Sequence, residues 1–164
     1  MDQVLKRKGT KDMYTRTISN SDDIVDSRQV MERIEELQSE KDTHNDALAA
    51  ELEADKDPEY DETTGARIIP PTWEEENPED AAELASLLEL AEDGENATSD
   101  WNYGATLIRD SHFKTYAQDF AEEIGAINKD ASWPNTCIDW DEAAEELQQD
   151  YSSVEWDGVT FWIG

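Results

Sequence analysis

Hydrophobic positions along this chain change period several times, and each change predicts an element. Val30, Ile34, Leu37, Lys41, His44, Leu48 and Glu51 step alternately by four and three residues. That 3.5-residue spacing is the seam of a coiled-coil-like helix. With Asp26 or Ser27 as its cap it predicts a helix over residues 27–54, about 40 Å long at 1.5 Å per residue. The stripe is narrow, and polar at Lys41, His44 and Glu51, so the helix needs a partner. Ala81, Leu84, Leu87, Leu88 and Ala91 line a second face, entered through Asn77-Pro78 and ended by Asp93-Gly94. They predict a helix over residues 78–92. Between the two, residues 55–77 hold Pro58, Gly65, Pro70, Pro71 and many acids. They read as a linker, with a short extended piece at Ile68-Ile69 and one turn at Thr72-Trp73-Glu74-Glu75. The simplest arrangement folds the second helix antiparallel onto the first as a hairpin. A homodimer through the long helix is the alternative, and the two are compatible.

From Asp100 the pattern changes. Trp101, Tyr103, Leu107 and Ile108 lead into Asp110-Ser111, a helix cap, and Phe113, Tyr116, Ala117, Phe120 and Ile124 line a helix that Gly125 ends. Residues 126–137 form a loop with Trp133-Pro134. Asp139 caps a further helix, with Glu142 at capping-box spacing and Ala143, Ala144, Leu147 and Tyr151 at helical period. The period then drops to two around Asp157-Gly158, the strongest short-range hairpin signal. A two-residue loop pairs Trp156 with Val159 and Val154 with Phe161 on one face, leaving Ser153, Glu155, Thr160 and Trp162 on the other. The fold class expected is α+β and mostly helical. A flexible basic tail (1–25) precedes an acidic helical hairpin (26–99), and a compact helix–loop–helix–β-hairpin module (100–164) follows.

Composition sharpens this reading. Apolar residues make up 37% and charged residues 34%, with 42 acids against 13 Lys and Arg and a net charge of -29. Such numbers alone favour disorder, but eleven of the fourteen aromatics lie beyond residue 100, which places a core there. Met1–Arg16 is the one net-positive stretch, with five basic residues against two acids. It reads as a mobile tail, or alternatively as a basic arm. The single cysteine, Cys137, excludes an intramolecular disulfide and fits a reducing cytoplasm. No apolar run approaches 18 residues, so no transmembrane helix is expected.

No catalytic signature stands out. GxGxxG, Walker, GxSxG and CxxC patterns are missing, and nothing in the sequence ties Cys137 to His112. His44 has no companion ligand at helical spacing. Neither Asp55–Tyr60 nor Asp130–Glu142 fits a calcium loop, because the central glycine is absent. The expectation is a non-enzyme with no cofactor and no resident metal. Charge remains. Duplex DNA carries one negative charge per about 1.7 Å, so -29 equals roughly 50 Å, about fifteen base pairs. Acids fall on predicted outer helix faces: Glu32, Glu35, Glu36, Glu40, Asp42 and Asp46 in the first half, and Asp119, Glu122, Glu123, Asp141, Glu142, Glu145, Glu146 and Asp150 in the second. Carboxylates on rigid helices imitate phosphates at low ordering cost.

Ile138-Asp139-Trp140, Ala144, Leu147, Asp150-Tyr151 and Gly158-x-x-Phe161-Trp162 resemble the end of antirestriction proteins of the ArdA type. So does the preceding Tyr116-Ala117…Ala121-Glu122-Glu123…Gly125. The resemblance covers residues 101–164; the helical half before them does not resemble that family's other domains. It implies an acidic DNA mimic, carried by a phage or plasmid, that occupies the DNA cleft of a type I restriction enzyme. The function expected is therefore inhibition of a host DNA-binding defence protein, a restriction enzyme or a CRISPR effector, in the host cytoplasm. Its partner is a basic DNA-binding cleft, with no direct nucleic-acid contact and no membrane. The competing expectation is a dimeric coiled-coil adaptor that binds a partner through Trp156, Phe161 and Trp162.

Overall fold

Residues 17–164 are described by a computed structural model. The tail expected over 1–25 lies outside the described residues up to Arg16. Beyond it the chain is anchored, since Ile18 is buried and strand β1 (Ile24–Asp26) follows. Asp26 then starts α1 (Ser27–Ala54) through a capping box: its carboxylate accepts from Arg28 N, and Asp26 N donates to Gln29 Oε1 at 3.1 Å. Thr72 and Glu75 make the same reciprocal pair for the single turn α2 (Trp73–Glu76). Pro78 opens α3 (Pro78–Ala97). α1 and α3 run antiparallel, as three links show. Ser27 meets Trp101, Arg33 meets Glu83, and Lys41 meets Glu74.

α3 runs five residues past the stop expected at 92. Gly94 does not end the helix but sits buried inside it, and a Cβ there would overlap the Trp101 ring. Close packing of one aromatic against bare backbone overrides the local breaker signal. After the turn α4 (Trp101–Gly104) comes strand β2 (Thr106–Arg109), where the sequence suggested only a lead-in to the next helix. α5 (Phe113–Glu123) begins after a 3-10 turn and not at an Asp110 cap, because Asp110 Oδ1 accepts from Trp162 Nε1 at 2.8 Å. Ile124, expected on its apolar face, is 61% exposed. α6 (Trp140–Gln148) is capped by Asp139, whose carboxylate accepts from Asp141 N and Glu142 N. The hairpin of β3 (Ser152–Trp156) and β4 (Val159–Ile163) has the expected register, Trp156 opposite Val159 and Val154 opposite Phe161. Asp157 (φ 47°) and Gly158 (φ 78°) both take the left-handed backbone of a type I′ turn.

The fold is mixed α+β, predominantly helical, around an open antiparallel sheet of order β1-β2-β4-β3. Alternation sends Val25, Leu107, Phe161, Ile163, Val154 and Trp156 to one face. There they bury against Val30, Ile34 and Leu37 of α1 and Leu84, Leu87 and Leu90 of α3. Ile108 and Trp162 point to the other face, where α5 and α6 add Phe113, Ala117, Ala144 and Leu147. The larger cluster thus draws on residues from both sides of position 100. Ser27, fully buried, ties the layers together: its Oγ donates to Trp101 O (2.6 Å) and accepts from Ala105 N (2.8 Å).

Candidate functional site

Residues 17–164 carry forty Asp and Glu against eight Lys and Arg. Six of these cations are ion-paired within the chain. Arg28 holds Asp26, Lys41 holds Glu74, Arg67 holds Asp55, Lys114 holds Asp141, and Lys129 holds Asp119 and Glu122. Arg33 is the most enclosed. It forks onto Glu83 at 2.8 and 2.9 Å and reaches Glu36 at 3.2 Å, pinning α1 to α3. Donating to Glu83 raises the Arg33 pKa, donating to Asp119 raises that of Lys129, and the hydrogen bonds that Asp26, Asp55 and Glu74 accept from Arg28, Arg67 and Lys41 lower theirs. Arg67 has a second task. The chain turns back through a bridge between Tyr60 and Arg67, and the guanidinium donates to Leu52 O at the α1 C-terminus. That end has no basic residue of its own to meet the helix dipole.

These pairs divide the twelve acids expected to form the site. Glu36 is half-buried under Arg33; Asp119, Glu122 and Asp141 are exposed but bonded to lysines. Glu32, Glu35, Glu40, Glu123, Glu142, Glu145, Glu146 and Asp150 are exposed and have no ion-pair partner among the described residues. The fold does not bring all twelve together. The α1 acids lie on the outer surface of one helical layer, and those of α5 and α6 on the outer surface of the other, with the sheet between.

The longest run of charge lies on the α1 layer. Glu32, Glu35, Glu40, Asp42, Asp46, Glu51 and Glu53 are all exposed on one helix. Over their span of about 31 Å at 1.5 Å per residue this gives about one charge per 5 Å, against one per 3.4 Å for a strand of duplex. α3 adds exposed Glu79, Glu89, Glu92, Asp93 and Glu95 to the same layer. The sequence reading left these out, although Glu89, Glu92 and Asp93 fall opposite Leu84, Leu87 and Leu90, so the same periodicity would have found those three.

The remaining polar candidates serve the fold. His44 lies between Pro71 O (3.2 Å) and Glu76 (3.7 Å), joining α1 to the segment before α3. His112 lies 3.6 Å from Asp23, while the Cys137 thiol is exposed, 4.0 Å from Thr136 Oγ1. Among the described residues no three His, Cys, Asp or Glu groups converge on one point, and no helix is long and apolar enough to cross a membrane. Compared with known family models, curated proteins and solved structures, the chain has no match.

Proposed function

We propose that this protein is a non-enzymatic acidic DNA mimic that inhibits a host DNA-binding defence protein by occupying its basic cleft. The observation that carries the reading is the set of exposed carboxylates on packed helices, with six of the eight Lys and Arg among the described residues already engaged internally. Phosphate contacts dominate the affinity of DNA-binding clefts, so a surface of fixed negative charges competes without any sequence code. The resemblance of residues 101–164 to ArdA-type antirestriction proteins points to a type I restriction enzyme as the first target to try, in the host cytoplasm. The adaptor reading has less behind it. Trp156 and Phe161 are buried in the core, Trp162 packs on Phe113, and Ile34 and Leu37 already face α3.

The test is competition. A purified type I restriction complex is loaded with a fluorescent duplex and titrated with the protein at increasing salt. Displacement of the duplex is expected, weakening steeply as salt rises. Reversing Glu32, Glu35, Asp42 and Asp46 to Lys together should abolish it if the α1 layer enters the cleft; the set Glu142, Glu145, Glu146 and Asp150 tests the other layer. A complex indifferent to salt and to both sets would sink the reading.

A further inference from the structure

The open edge of the sheet at β3, beside the charged face of α3, points to a second kind of binding. β3 is the terminal strand and pairs only with β4. The type I′ turn makes Trp156 and Val159 the hydrogen-bonded pair next to the loop. Alternation along an antiparallel ladder then aims the N–H and C=O of Ser153 and Glu155 off the sheet. Neither residue's backbone has another partner among the described residues. The opposite edge, β1, has only three residues. β3 has five in unbroken register, with no proline, lysine or bulge, the devices that usually blunt an edge.

A groove of about 670 Å³ runs along this edge, between β3 and the last turns of α3. Ser152 to Glu155 form one wall and Glu89, Asp93, Asn96 and Ala97 the other, with Asp157 and Gly158 at the turn. The chain's own contacts mark its ends. Ser152 Oγ donates to Ala97 O at 3.5 Å, and Asn20 Nδ2 donates to Trp156 O at 3.4 Å. Every charged group lining the groove is negative: Glu89, Asp93, Glu155 and Asp157. A second copy of the same strand would bring these carboxylates against one another.

We propose that this edge takes an extended basic segment of a partner protein as a fifth strand. Main-chain hydrogen bonds to Ser153 and Glu155 would hold the segment. Its Lys or Arg side chains on one face would meet Glu89 and Asp93, and those on the other face Glu155. Strand addition of this kind draws affinity from the backbone and specificity from side chains at alternate positions. The proposal does not depend on the DNA-mimic reading, because the groove acids differ from the acids reversed in the competition test.

The probe is an acetylated, amidated heptapeptide alternating lysine and valine. Its control is the same peptide N-methylated at alternate residues, which keeps the charge but loses the donors. Titration by calorimetry is paired with amide exchange read by NMR. The unmodified peptide is expected to bind about tenfold or more tightly than the control, the effect of about one to two net hydrogen bonds, and to protect the Ser153 and Glu155 amides. Glu89→Gln combined with Asp93→Asn should weaken binding with those amides still exchanging fast in the free protein. Equal binding of the two peptides would reduce the effect to bulk charge attraction and overturn the proposal. So would Ser153 and Glu155 amides already protected without peptide, since the edge would then be occupied by the chain itself or by a second copy.

Discussion

α1 and α3 meet the sheet through an extended aliphatic and aromatic core, in which Val30, Leu37, Leu87, Leu90, Trp101, Leu107, Phe161 and Ile163 are each 2% exposed or less. α5 and α6 meet the opposite face through a much smaller set. Ile108, Phe113, Ala117 and Ala144 are buried there, while Tyr116, Leu147, Tyr151 and Trp162 are only partly covered. Aromatic edges take over in that layer: Phe113 lies 5.3 Å from Tyr151 at 85° and 6.0 Å from Trp162 at 65°. Both layers present acids to solvent, yet they pay unequally for it. The layer with the longer run of charge has the deeper core and the Arg33 fork beneath it; the other sets a shorter cluster of acids over an aromatic patch. Repulsion on a helix face is tolerated where apolar burial, worth about 1.5–3 kcal/mol per large side chain, exceeds it.

The largest effects should come from cutting each core. Leu87→Ala is expected to cost about 2–5 kcal/mol, and urea unfolding followed by far-UV circular dichroism and by Trp fluorescence should shift together. Phe113→Ala falls in the range of about 3–5 kcal/mol, but its loss should show first as fast amide exchange in α5 and α6 while α1 and α3 stay protected. If both variants release all helices together, the contrast between the layers fails. Next comes Arg33→Met, which leaves Glu36, Asp80 and Glu83 facing one another without their cation. A loss of about 2 kcal/mol is expected from its charged hydrogen bonds. Added salt should recover part of it in a thermal melt, because the residue of the effect is repulsion.

The smallest effect separates the layers by pH. Tyr116 and Tyr151 hydroxyls are 3.0 Å apart, and burial pushes the Tyr151 pKa above its ordinary value of 10.0. The folded chain therefore keeps a proton that the unfolded chain releases. The stability it contributes is present in full below pH 10 and is lost as pH climbs above that value. Tyr151→Phe should cost about 1 kcal/mol at neutral pH and flatten the alkaline loss. An alkaline profile unchanged by the substitution would place the sensitivity elsewhere.

Local signals carried much of this architecture. The cap at Asp26, the apolar step from Val30 through Ile34 to Leu37 and the Asp157-Gly158 hairpin are legible because each depends on neighbours within a few residues. β1 and β2 were not legible for the opposite reason. Leu107 and Ile108 are adjacent apolar residues buried on opposite faces, so a strand covered on both sides shows no alternation. Gly94 misled because the Trp101 ring that keeps the helix going arrives from beyond its end. Acidic character was plain from composition, whereas the division of those acids between two opposite layers depends on strand order. The groove at β3 depends on it too, since nothing local to Ser152–Trp156 says that the strand is terminal.

Strand order also sets a timetable. β4 lies between β2 and β3 and is later in the chain than either. On a ribosome, the helices and the β1–β2 pair can form as they emerge, but β3 has no neighbour until β4 is made. The β3–β4 hairpin is local, but its docking on β2 pairs residues more than fifty positions apart, and long-range pairings close slowly. Until it docks, the apolar faces of Val154 and Trp156 stay uncovered on a growing chain, so the self-repulsion of the chain's carboxylates doubles as protection during synthesis, keeping nascent copies apart while the sheet waits for its last inner strand.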